Sequence, residues 1–299
     1  MIKKVAWMHY PIDDMNVNKL TNKIIDFHKS YNFNFVKVSI NSNSICEAFG
    51  IKRKFSNSTY GSYDKNIIQY DPNHLINTHK HLSLIYDFPL LSENILTHKN
   101  ISSEIDKPIY ATVYSPIYHL KSMLGNVISI KDIYKYQNML EFLTKITQEY
   151  ISELQKIPKV KIYYCVFMAN KEFCEHQEFQ ESILKYDKKC IDKIIGNTNV
   201  VHFHDCQDFI DEYIQLNKFN FISSDIATEE FIEYIFKKYP SIFFIGGLNS
   251  HSFSNSSELL SRLNYLKKIY KNKNFIIGPD CTLPINIESS LLKMLATYE

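Results

Sequence analysis

Val200-Val201-His202-Phe203-His204-Asp205-Cys206 is a short apolar run that ends in soft metal ligands. Phe275-Ile276-Ile277-Gly278-Pro279-Asp280-Cys281-Thr282-Leu283-Pro284 repeats the pattern some seventy residues later. Apolar runs of this length without strict alternation read as parallel strands buried on both faces. Parallel α/β folds gather their functional residues at the C-terminal ends of the strands. His and Cys delivered there suit zinc, which takes Cys sulfur at about 2.3 Å and His nitrogen at about 2.0 Å and keeps one position open when catalytic.

Working outward, six more runs of the same kind are expected strands: Lys4 to His9, Asn34 to Ser39, Ile109 to Tyr114, Lys161 to Phe167, Phe219 to Ser223 and Ile242 to Ile245. Helical stripes lie between them. Met139, Phe142, Leu143, Ile146, Tyr150 and Leu154 share one face. Phe231, Tyr234 and Ile235 follow a capping stretch at Thr228-Glu229-Glu230, and Leu259, Leu260, Leu263, Leu266 and Ile269 form another stripe. A last helix is expected from Ile287 to Leu295. The βα alternation runs without linker or repeat and predicts one α/β domain over residues 1–299, a (β/α)8 TIM barrel. Residues Gly50 to Lys107 read as an insertion after the second strand, laid over one face of the barrel. Polar residues fall where a barrel puts its site. His9, Ser115, His204 with Cys206, Asp225, Gly246-Gly247 and Cys281 all end or follow strand runs.

The bulk composition excludes several classes. With 34 basic and 32 acidic residues the formal charge is +2, which points to neither nucleic acid nor an anionic membrane as partner. No apolar stretch is long enough for a transmembrane helix, and the apolar run near Met1 is too short for a signal peptide. The six cysteines are scattered, as expected of free thiols or metal ligands in a reducing, cytoplasmic setting rather than of a disulfide framework. Arg53 and Arg262 are the only arginines. A site that clamps several carboxylates usually uses the bidentate fork of Arg.

Asn34-Phe35-Val36-Lys37-Val38 followed by Glu47-Ala48-Phe49-Gly50, then Thr112-Val113-Tyr114-Ser115-Pro116-Ile117, Gly246-Gly247 and Gly278-Pro279-Asp280-Cys281-Thr282-Leu283-Pro284, resemble in order the motifs of the uroporphyrinogen decarboxylase-like superfamily. That family's fold is a (β/α)8 barrel. Its decarboxylases use an Arg-rich N-terminal segment, where this chain has Trp7-Met8-His9-Tyr10-Pro11. Its methylcobamide:coenzyme M methyltransferases use zinc held by an H-x-C strand end and a late Cys. The resemblance to that branch implies Zn2+ on His204, Cys206 and Cys281. His202-x-His204 with Cys281 fits the same strand two residues earlier, and Gln207 stands where that branch has Gly. It also implies a transferase in which a small-molecule thiol, held as thiolate, attacks a methyl or other alkyl carbon. No D-x-H-x-x-G cobalamin loop is present, so a corrinoid methyl donor would come on a separate protein.

Rival readings are blander. His204, Cys206 and Cys281 could be a satisfied core histidine and two buried thiols. His202 could orient His204 instead of ligating. Asp225 is either a carboxylate beside the metal or substrate, or a helix cap ahead of Thr228. His9 and Tyr114 are expected to line the mouth. His74, His79 and His81 read as a solvated surface, and Cys46, Cys165, Cys174 and Cys190 as ordinary thiols. The alternative functions are a metal-independent decarboxylase and a non-catalytic barrel binder.

Overall fold

The computed structural model describes residues 3–55, 58–61, 63–69, 85, 88–125 and 128–299. Seven parallel strands form one sheet in the order β1 (Val36–Val38), β4 (Ile109–Tyr114), β5 (Val160–Phe167), β6 (Asn199–His204), β7 (Phe219–Ser224), β8 (Phe243–Leu248) and β9 (Phe275–Pro279). An antiparallel pair, β2 (Lys52–Phe55) and β3 (Tyr63–Gln69), follows β1. Helices cross between successive parallel strands and cover the sheet. The strands are buried on both faces, as their apolar runs require. On β5, for example, Tyr163 and Tyr164, which point to opposite faces, are 1% and 0% exposed.

The sheet curls into a half-barrel rather than the closed eight-stranded barrel expected from the sequence. Residues Lys4 to His9, read as a strand, form an extended segment with only isolated bridges, Lys4 to Ile277 and Met8 to Leu283. On its other side the segment meets the β1 edge through a single backbone bond, from the Asn34 N–H to the Lys4 carbonyl. The reasons are local. The Lys4 N–H is taken by the side-chain oxygen of Asn34 at 2.7 Å, not by a strand carbonyl. Pro279 ends β9 with no N–H to offer a ladder. The backbones still approach closely: a Cβ on Gly278 would lie 2.7 Å from Val5 Cγ2 and 3.2 Å from the Val5 carbonyl.

Within the stretch read as an insertion, the structure places the β2–β3 pair and a helix Pro89–Glu104 that packs against helix Val17–Tyr31. The loop between β2 and β3 reaches the last third of the chain, where the Ile285 N–H donates to the Thr59 carbonyl at 2.8 Å. His74, His79 and His81 lie outside the described residues.

Register sets the interior. Tyr114, Cys165, His202 and Ser223 are successive Cα partners across β4, β5, β6 and β7, so their side chains share one face. The opposite face of β5 carries a different polar group. Asp187, 0% exposed, accepts from Tyr164 Oη at 2.7 Å and Tyr213 Oη at 2.6 Å. Burial pushes its carboxyl up to about 7, partly offset by the two phenols. The folded pKa is raised, so this group stabilises most below about pH 4. That contribution is lost as pH rises towards about 7, at ~1.4 kcal/mol per pKa unit. Urea unfolding of Asp187→Asn against wild type should show the wild type losing on the order of 2 kcal/mol relative to the variant between about pH 5 and about pH 8. Parallel pH profiles would remove Asp187 as the cause.

Candidate metal centre

β6 delivers His202 and His204 to the inner face, with ring centroids 6.0 Å apart. Were the strand to continue, residues 202, 204 and 206 would all face one way; the two histidines do, and Cys206 does not. The strand ends at His204, and Asp205 turns into the left-handed region with φ 52°. That breaks the two-residue alternation. Cys206 is 1% exposed, and its thiol donates to the Val166 carbonyl at 3.6 Å instead of joining the histidines.

Cys281 arrives from the segment after β9. Among the described residues, one ligand atom each of His202, His204 and Cys281 lie within 4.8 Å of one another. Cys281 Sγ is 3.9 Å from His204 Nδ1. Two contacts fix Cys281: Trp7 Nε1 donates to its carbonyl at 2.5 Å, and the preceding Asp280 accepts from the Gly247 N–H at 2.6 Å. Gly247 has φ +94°, and a Cβ there would lie 2.9 Å from Leu266. Gly246 and Gly247, expected to follow the strand, lie inside β8, and glycine at 247 is what lets β8 come up to Asp280.

Asp225 follows β7. One oxygen stands 3.0 Å from His204 Nδ1, and the other accepts from the Asp205 N–H at 3.0 Å. Burial alone would lower the His204 pKa, but hydrogen bonds to Asp225 and Cys281 outweigh it and push it up to about 10. Burial would raise Asp225, and the bond to His204 holds it below the usual carboxylate value. His202 differs. Burial, with the charges of His204 and Lys37, pushes it down to about 3, so it is a neutral imidazole. Its Nδ1 is 3.0 Å from Ser223 Oγ, whose hydroxyl reaches the Asp280 carbonyl at 3.4 Å. Ser223 thus engages Nδ1, and Nε2 is the ring nitrogen of His202 with no hydrogen bond among the described residues.

The cluster opens into a cavity of about 170 Å³, also lined by His9, Tyr114, Lys37 and Cys165. At about 30 Å³ per molecule that is room for roughly six waters, or one small molecule. Tyr118 lies 4.6 Å from Tyr114 and 4.5 Å from Phe167, and Phe167 lies 5.0 Å from His204, all ring to ring. These rings form an aromatic wall along one side of the approach to the cluster. Burial and the Lys37 and His204 charges push His9 down to about 3. A larger cavity of about 520 Å³ at the opposite ends of the strands is lined by Phe243, Phe275 and several lysines, and no His–Cys cluster stands there.

The structure thus brings together His202, His204, Cys281 and Asp225, with His9 and Tyr114 on the cavity wall, and leaves Cys206 out. Sequence reasoning missed Lys37, Cys165 and Ser223. For Lys37 there was a signal: a charge in the middle of an apolar run. Cys165 and Ser223 gain meaning only through strand register.

The arrangement is an α/β half-barrel with soft donors converging at its strand ends. No protein-family model matches the chain, and no curated protein sequence matches it. A solved methyltransferase from Methanosarcina mazei has the same fold, with a TM-score of 0.69 and 12% identity over 99% of this chain and 91% of that one. At that identity the likeness is one of fold. A β-glycosidase from Thermosphaera aggregans superposes at a TM-score of only 0.33, with 10% identity over 88% of this chain and 76% of its own.

Proposed function

We propose that this protein is a zinc-dependent alkyltransferase, most simply a methyltransferase, that activates a small-molecule thiol at the strand ends of a uroporphyrinogen decarboxylase-like barrel spanning residues 1–299. The observation that carries the proposal is the convergence of two imidazoles and one thiol within 4.8 Å, beside a cavity of small-molecule size. The Methanosarcina mazei neighbour, a methyltransferase by name, supports the same class. The donor set fits zinc: one thiolate, one neutral imidazole with a free lone pair, and one imidazole steered by a carboxylate. His202, His204 and Cys281 are the proposed ligands, because the Asp205 turn carries Cys206 away.

When bound, zinc would keep a coordinated substrate thiol deprotonated at neutral pH. The chain's own residues do the rest. Ser223 holds the His202 ring through Nδ1, and Asp225 fixes the His204 ring through its Nδ1. Trp7 and Asp280 hold Cys281 from both sides. Tyr114, Tyr118 and Phe167 exclude water, so the thiolate stays nucleophilic. Orientation of thiolate and alkyl carbon then supplies much of the rate. The proposed donor is a methylated corrinoid on a separate protein, and the proposed setting is the cytoplasm. All six cysteines are free, as a reducing compartment would keep them.

The test is product formation. Zinc-loaded protein with free methylcobalamin and a panel of small thiols should yield a methyl thioether by mass spectrometry, and chelator-treated protein should not. Zinc-loaded protein that methylates no thiol from any methyl donor would end this reading.

A further inference from the structure

Lys37 sits where a lysine is expensive. It occupies the centre of β1 between Val36 and Val38, and the residue is 8% exposed. Burying an ammonium without a partner costs several kcal/mol even after relaxation. Yet Lys37 makes a single hydrogen bond, a long one of 3.4 Å to Ser39 Oγ, and no ion pair among the described residues. Two rings hold its nitrogen instead. Nζ lies 4.5 Å from the Tyr163 centroid and 5.2 Å from the Trp7 centroid. The side chain also lines the cavity of about 170 Å³, with His9, Tyr114 and Cys165 on the same wall. Burial lowers its pKa, opposed by Cys165 and Cys281. A desolvated lysine of this kind carries a nucleophilic amine.

We infer that Lys37 is a covalent capture site for a small aldehyde or ketone, in the same cavity as the proposed metal centre but by chemistry that needs no metal. The Nζ lone pair adds to the carbonyl carbon, a C–N bond forms, and the proton shed by nitrogen passes to the carbonyl oxygen. The resulting carbinolamine loses its oxygen as water and leaves an imine. His9 and Tyr114 are the cavity groups available to relay the proton. No oxidant or reductant is consumed. The ring clamp suits the product, because a protonated imine is a cation at the atom that Tyr163 and Trp7 already face. The cavity, room for about six waters, limits the carbonyl compound to a few heavy atoms.

The whole chain is incubated with hydroxyacetone and sodium cyanoborohydride, then digested and mapped by mass spectrometry. Hydroxyacetone reacts sluggishly with ordinary solvated lysines. The expected result is one adduct per chain on the Lys37 peptide, formed at least about tenfold faster than on any exposed lysine, as roughly 1.4 kcal/mol of barrier difference gives. Chelator-treated wild type should be trapped as well as the untreated protein, so failure here is distinct from failure of the zinc reading. Lys37→Met should lose the adduct. Adducts scattered over exposed lysines with Lys37 unmodified overturn the inference. So does protection of the cavity by inorganic phosphate without any trapping, which would make Lys37 an anion anchor.

Discussion

Cys281→Ala should purify without metal, and the wild type should carry about one zinc per chain. Cys281 is the sole thiol in the cluster, and the two imidazoles left behind cannot complete a three-ligand site. The affinity loss should exceed the ten- to hundredfold typical of removing a group that only supports a ligand. His202→Ala and His204→Ala should behave alike. Cys206→Ala should keep full zinc, because its thiol is spent on the Val166 carbonyl. Elemental analysis of protein purified without a chelating column decides the matter. Cys206→Ala losing zinc while His202→Ala retains it would restore the His204, Cys206, Cys281 set.

Trp7→Ala should cost on the order of 3–5 kcal/mol of stability, the range for deleting a large buried aromatic. Trp7 is 2% exposed; it stacks on Phe35 at 6.1 Å and meets Tyr163 edge-on at 5.8 Å. Its indole N–H also holds the Cys281 carbonyl, so stability and metal affinity should fall together. Trp7→Phe separates the two effects. It keeps much of the packing but strands a partly buried carbonyl, at a cost of about 1–3 kcal/mol. Zinc affinity should drop in Trp7→Phe, while the urea midpoint falls less than in Trp7→Ala. Unchanged zinc affinity in both variants would mean that the indole bond does not position Cys281.

Much of this was legible in the chain because parallel strands advertise themselves. The runs from Ile109, Lys161, Val200, Phe219, Ile242 and Phe275 all became strands, and of the polar residues at strand ends His9, His204 and Cys281 line one cavity, whereas Ser115 and Cys206 do not. Legibility failed where side chains replaced backbone partners. At the seam, Asn34 takes the Lys4 N–H with its side chain and Pro279 offers none, so Lys4 to His9 never becomes a regular strand. It failed again at Asp205, whose left-handed turn follows an otherwise regular alternation and sends Cys206 the other way. Cys165 gave no local sign at all. Its place beside His202 is a matter of register between β5 and β6, a non-local quantity.

The bond from Trp7 to Cys281 joins residues 274 positions apart. Closing so long a loop carries a large entropic toll before any contact rewards it, and such pairings form late in folding. The centre is therefore among the last things the molecule finishes. A chain emerging from the ribosome can show histidines but not a completed pocket until Cys281 has been made. Whatever enters the cavity then meets a finished pocket rather than a half-built one.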